Sequence, residues 1–102
     1  MAHQFTVEFE EQADGPEPAL RERFAVAASR RLGLLEGTGR PYPKAGDAFD
    51  ILDAFEGPYV WEMTDAQLEA TPPTMVDIEV VSVDPADDAG DGPVRVVARV
   101  QF

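Results

Sequence analysis

At 102 residues the chain has room for one domain and not for two, and with 44% hydrophobic residues it can build a modest core. It holds no run of about 18 apolar residues, so a membrane span is not expected, and without cysteine it has neither disulfides nor thiolate chemistry. Twenty Asp and Glu stand against eight Lys and Arg, a formal net charge of −12, and such a surface repels nucleic-acid phosphates and anionic lipid alike.

Of the cations only Lys44 is a lysine; the other seven are arginines. An acidic excess with almost no lysine is the composition of an extreme halophile's protein, because the Debye length falls from ~10 Å at 0.1 M salt to ~3 Å at 1 M and mutes self-repulsion. A GC-rich mesophilic genome also favours arginine over lysine, and the two origins stay open. Met1-Ala2-His3-Gln4 runs into a strand pattern without the apolar stretch of a signal peptide, so synthesis in the cytoplasm is expected.

The first element is a half-buried strand in which Phe5, Val7 and Phe9 alternate with Thr6, Glu8 and Glu10. Asp14 followed by Glu17 fits a capping signature, and Pro16 and Pro18 suit a first helical turn. The helix is expected from about Pro16 to Leu35, with Gly33 as a stop signal. Leu20, Phe24, Ala27, Ala28 and Leu35 share one face, Glu17 and Arg21 are spaced as an i,i+4 pair, and Arg31 falls inside the apolar stripe with its stem snorkelling to the edge. Residues 36 to 46, with Gly37, Gly39, Pro41, Pro43 and Gly46, read as an extended loop.

Between Asp47 and Phe55, the helical spacing of Phe49, Leu52 and Phe55 predicts one or two short turns, although the stretch is ambiguous. Gly57-Pro58 breaks them, Tyr59 to Met63 reads as a strand, and Thr64 with Gln67 forms a capping box that opens a short helix to about Ala70. Val76, Ile78 and Val80 then alternate with acids, and Val94, Val96, Ala98, Val100 and Phe102 alternate with Arg95, Val97, Arg99 and Gln101. Joined through residues 84 to 93, the two runs make an antiparallel hairpin. A register with Asp77 opposite Arg99 and Val81 opposite Arg95, and Glu79 diagonal to both arginines, keeps both apolar rows on one face and sets opposite charges across the other. The fold class that follows is α+β: a small antiparallel sheet of three to four strands with one main helix packed on one face.

Reactive chemistry is sparse. The sole histidine, His3, sits near a terminus, and neither Ser29 nor Ser82 has a base nearby in sequence. Carboxylates are too abundant for any pair to stand out. With Asp87 as the first ligand of a calcium loop, alanines (Ala89 and Ala98) fall where the third and twelfth positions need ligands, so residues 84 to 91 read as a solvated acidic turn. With one histidine and no cysteine, a zinc site is not expected. No enzyme activity, no catalytic residues, no cofactor and no metal are expected.

Charge layout carries the functional expectation. Residues 41 to 94 hold 13 acids and only Lys44, whereas the helix concentrates Arg21, Arg23, Arg30 and Arg31. These arginines either pair with acids of their own chain, which contributes little when exposed, or meet an acidic face of a partner. Tyr42 lies between two prolines and Trp61 is the only tryptophan, and aromatics of this kind anchor interfaces. The interface candidates are Arg21, Arg23, Arg30, Arg40, Tyr42 and Trp61.

An arginine-rich helix followed by Gly37-Thr38-Gly39-Arg40-Pro41-Tyr42 resembles a six-residue stretch in head–tail connector (neck) proteins of tailed viruses. The resemblance implies a non-catalytic ring subunit whose loop contacts its neighbours. The expected function is therefore a structural subunit of a larger assembly, such as a capsid, neck or tail component of a virus particle from a halophilic host. Its partners would be copies of itself or other subunits, not nucleic acid or membrane. A free-standing acidic binding or regulatory module and an accessory domain of an enzyme complex are the two alternatives.

Overall fold

The computed structural model describes residues 3–13, 15–88 and 92–101. Its elements in chain order are β1 (Gln4–Phe9), α1 (Pro18–Gly37), β2 (Ala48–Asp53), a 3-10 turn (Val60–Glu62), α2 (Asp65–Ala70), β3 (Thr74–Asp84) and β4 (Pro93–Val100). The four strands form one sheet in the order β1-β4-β3-β2, with α1 laid across one face, so the α+β class expected from the sequence is the class observed. The sheet is mixed: β1 runs parallel to β4, from Gln4 beside Pro93 to Phe9 beside Ala98, while the other two pairs are antiparallel. α1 makes this possible, because it carries the chain from the end of β1 back across the sheet to the opposite edge.

The core is the layer between helix and sheet. Val7, Phe49, Ile51, Val76, Ile78, Val80, Val94, Val96, Ala98 and Val100 face Phe24, Ala27, Ala28 and Leu32, with Leu20 and Leu35 packed at its margin. Ser29 joins the layers by a second route, accepting from the Val7 amide at 3.1 Å while its hydroxyl donates to the Ala25 carbonyl at 2.8 Å. The Gln12 side chain extends the β4 ladder beyond β1, donating to the Val100 carbonyl at 3.2 Å and accepting from its amide at 3.1 Å.

Several sequence expectations need correction. α1 passes through Gly33 and ends in a Schellman motif, with Gly39 at φ +92°, the Gly39 amide on the Glu36 carbonyl and the Arg40 amide on the Leu35 carbonyl. At its start Pro18 is the first helical residue, Glu17 caps through backbone alone and Asp14 lies outside the described residues. Arg21 donates to the Pro16 carbonyl at 3.4 Å, and its ion pair with Glu17 is not among those formed by the described residues. Arg31 stands exposed beside the stripe, and Leu32 fills the core position.

The stretch expected as helical turns is strand β2, and Tyr59 to Met63 is not a strand but carries the 3-10 turn. The capping box of Thr64 and Gln67 opens α2 as expected. In the β3–β4 hairpin Arg99 lies opposite Glu79, not Asp77, and Arg95 lies opposite Asp84, not Val81. From Ile78 to Val80 the ladder is offset by two residues from the expected register, and a bulge between Val80 and Ser82 adds one more, which turns Val83 toward the core side.

Candidate functional site

Three of the six interface candidates converge on one wall. Asp53, the last residue of β2, is buried with 1% of its side chain exposed. Its two oxygens accept from Arg23 Nε and Nη2, each at 2.9 Å, in a bidentate fork. Arg23 is spent entirely inside the chain. It also donates to the Gly57 carbonyl at 2.7 Å and the Pro58 carbonyl at 3.2 Å, and its guanidinium lies 4.8 Å from the centre of the Tyr59 ring. The neighbouring carboxylate pushes Arg23 above its ordinary pKa, chiefly through the side-chain hydrogen bond. The turn that lets residues 55 to 58 reach Arg23 uses Phe55 at φ 70°, with its amide on Asp53 Oδ2 at 3.0 Å and its ring tilted on Phe24.

From Tyr59 the wall continues outward. Tyr59 and Trp61 stack with centroids 4.7 Å apart and planes 2° from parallel, and the Arg30 guanidinium lies 4.8 Å from the centre of Trp61. Arg23, Tyr59, Trp61 and Arg30 thus form a run of alternating cation–π and stacking contacts that begins on a buried carboxylate and ends at the surface. Among the described residues Arg30 has no carboxylate partner, although the chain contains 20 acids. Arg31 lies 3.7 Å from Asp50, with both side chains nearly half exposed.

This wall borders a groove of about 320 Å³ between the C-terminal half of α1, the 3-10 turn and β2, lined by Arg30, Leu34, Asp50, Leu52, Trp61 and Met75 among others. Large apolar side chains stand open there: Leu34 is 54% exposed, Leu52 46%, Trp61 40% and Met75 61%. Leu34, Leu52 and Met75 were not among the sequence candidates. Leu52 and Met75 carried a readable signal, since they face one another across β2 and β3 on the face opposite the core, where polar residues are expected.

The other candidates lie elsewhere. Arg40 donates to the Ala48 carbonyl at 2.8 Å, and Arg21 stays near the start of α1. The Tyr42 hydroxyl donates to the Pro85 carbonyl at 2.6 Å, and burial, with Asp88, Asp84 and Asp87 nearby, raises its pKa. Tyr42 also meets the His3 ring edge-on at 5.3 Å. His3 is clamped between two carboxylates: its backbone amide and Nδ1 contact Glu36, and Nε2 lies 2.9 Å from Asp88 Oδ1. A neutral imidazole donates from one nitrogen only, so two carboxylate partners call for the doubly protonated ring. The hydrogen bond to Glu36 leads in raising the His3 pKa and in lowering that of Glu36.

Among the described residues there is no group of three or more His, Asp or Glu placed to hold a metal ion, and no helix long and apolar enough to cross a membrane. A partly open pocket beside Glu36, Arg40 and Asp47 measures about 20 Å³, room for a single water. Compared with known protein families, curated proteins and solved structures, the chain matches none.

Proposed function

We propose that this chain is a non-catalytic, protein-binding subunit of a larger assembly and that it docks through the groove beside Trp61. The observation that carries the reading is the combination in one place of four open apolar side chains with an arginine that has no carboxylate partner among the described residues, on a molecule of net charge −12. Apolar anchors joined to a stacked arginine are the composition of interface hot spots. The fate of the potential catalytic groups also supports it. Both ring nitrogens of His3 are engaged by carboxylates, and the Ser29 hydroxyl is committed to backbone groups on both sides.

The resemblance of Gly37-Thr38-Gly39-Arg40-Pro41-Tyr42 to neck proteins of tailed viruses gives the reading its most specific form, a ring subunit of a virus particle. The charge excess points to a halophilic host. In this form Arg40 and Tyr42 shape the loop from within, and the contact with a neighbour passes to the groove.

The test is light scattering on the purified chain at low and molar salt, with Leu52→Glu and Met75→Glu as the variants. Both side chains are exposed, so the fold should survive. The expected result is a defined oligomer in molar salt that the variants reduce to monomer. A monomer in every condition would replace the assembly reading with that of a free-standing acidic module.

A further inference from the structure

We infer that the groove receives an extended segment of a protein partner, one that carries a carboxylate among apolar residues, as a fifth strand along the free edge of β2. This rests on the docking reading and names what docks.

Asp50, Ile51 and Leu52 all border the groove, yet consecutive strand residues point to opposite faces and Ile51 is only 3% exposed. What three neighbours share is the edge of the strand. Among the described residues β2 pairs only with β3, which leaves its outer edge without a strand partner, and the Ala48 carbonyl there is occupied by Arg40. The sheet's other edge is treated differently: on β1 the Val7 amide is taken by Ser29. The β2 edge opens into the groove beside Trp61.

An added strand has two rows of side chains. One row meets Arg30, Leu34 and Trp61 on the helix side, and the other meets Leu52 and Met75 on the outer face of the sheet. Arg30 lays its face on Trp61 and has no carboxylate partner among the described residues, so its N–H groups offer charge-assisted hydrogen bonds to an incoming acid. Arg31 reaches across the edge to Asp50 at 3.7 Å, a weak, half-exposed pair that guards the edge in the free protein and gives way to a strand. The free edge is only about three residues long, roughly 10 Å at ~3.3 Å per residue. Backbone pairing therefore sets direction and register, and the side-chain anchors supply most of the affinity.

The chain's only tryptophan lies in the groove, so its fluorescence reports occupancy directly. The intact protein in 1 M potassium chloride, where repulsion from its net charge of −12 is screened, would be titrated with three blocked eight-residue peptides: alternating valine and glutamate, the same with lysine for glutamate, and the glutamate peptide N-methylated at alternate residues. A saturable change with the first peptide is expected, with binding at least about tenfold weaker for the other two. Arg30→Glu, checked for an unchanged circular-dichroism spectrum, should reverse the preference between glutamate and lysine. Equal binding of the N-methylated peptide would show an occupant held without strand pairing and would overturn the inference. So would no saturable response to the glutamate peptide, or equal response to glutamate and lysine. If Trp61 responds to protein concentration instead of peptide, a second copy fills the groove and the inference falls while the assembly reading stands. Peptide binding by a chain that stays monomeric has the opposite meaning.

Discussion

A carboxylate as deeply buried as Asp53 needs its charge met inside the fold, and a single guanidinium meets it on both oxygens. Removing one partner of such a pair strands the other, which costs about 3–5 kcal/mol where it has been measured. Asp53→Asn is therefore expected to lower unfolding free energy in urea by about 3 kcal/mol. It should also change Trp61 fluorescence, because Arg23 holds the Gly57 and Pro58 carbonyls and the Tyr59 ring on which Trp61 stacks. A loss below about 1 kcal/mol would mean that water screens the pair as at a surface.

His3 makes a different residue-scale prediction. Its folded pKa is raised above 6.5, so its contribution is fully present below that value and fades as pH climbs through the folded pKa. Glu36 is lowered below 4.5, so its contribution is present above that value and is lost as pH falls through its folded pKa. Their shared stability thus lies between those limits. In thermal melts, wild type should lose more stability than His3→Gln as pH is raised above neutrality; parallel curves would show that the clamp adds nothing.

At the scale of elements, Gly33 sits exposed within α1, and a methyl group built there meets nothing within 4 Å. Gly33→Ala should stabilise the chain by about 0.5–1 kcal/mol, read from the urea midpoint at unchanged slope. A destabilised variant would indicate that α1 bends at this point. The same helix shows what the sequence made legible: its apolar face and its proline start could be read, while its stop lay not at Gly33 but at Gly39, where the backbone turns left-handed. β2 was hidden by its function in the core. Phe49, Ile51 and Asp53 point inward, and an aspartate at the third inward position breaks the alternation that marks a strand, leaving the three-residue spacing of Phe49, Leu52 and Phe55 as the stronger pattern. Tyr59 to Met63 has β-prone residues, yet the Tyr59 amide on Glu62 and the ring stack on Trp61 fix a turn. The groove follows from these two misread segments, so Arg30 and Trp61 could be named from sequence but not joined. Nor does local sequence reveal that β1 runs parallel to β4, or that Asp50 lies opposite Asp77 across β2 and β3, a like-charge pair beside which Arg31 stands.

The whole molecule is a slab of 43 × 33 × 17 Å carrying a net charge of −12. At 0.1 M salt the Debye length of ~10 Å is more than half the slab's thickness, so carboxylates on its two surfaces repel one another through it as well as along each face. At 1 M the length is ~3 Å, and that repulsion shrinks to nearest neighbours. The exposed ion pairs, Arg95 with Glu8 at 2.6 Å and Arg99 with Glu79, are screened too, but they are few and each contributes little. Released repulsion therefore outweighs lost attraction, and the melting temperature should rise between 0.1 and 1 M potassium chloride by at least ~5 °C, which for a chain of this length corresponds to about 1 kcal/mol. Sodium sulfate at matched ionic strength separates screening from surface exclusion, since sulfate strengthens apolar burial as well. Equal rises in the two salts would assign the effect to charge. A melting temperature unmoved by potassium chloride would mean that the acids are spaced widely enough not to repel, and the link between this composition and a saline environment would go with it.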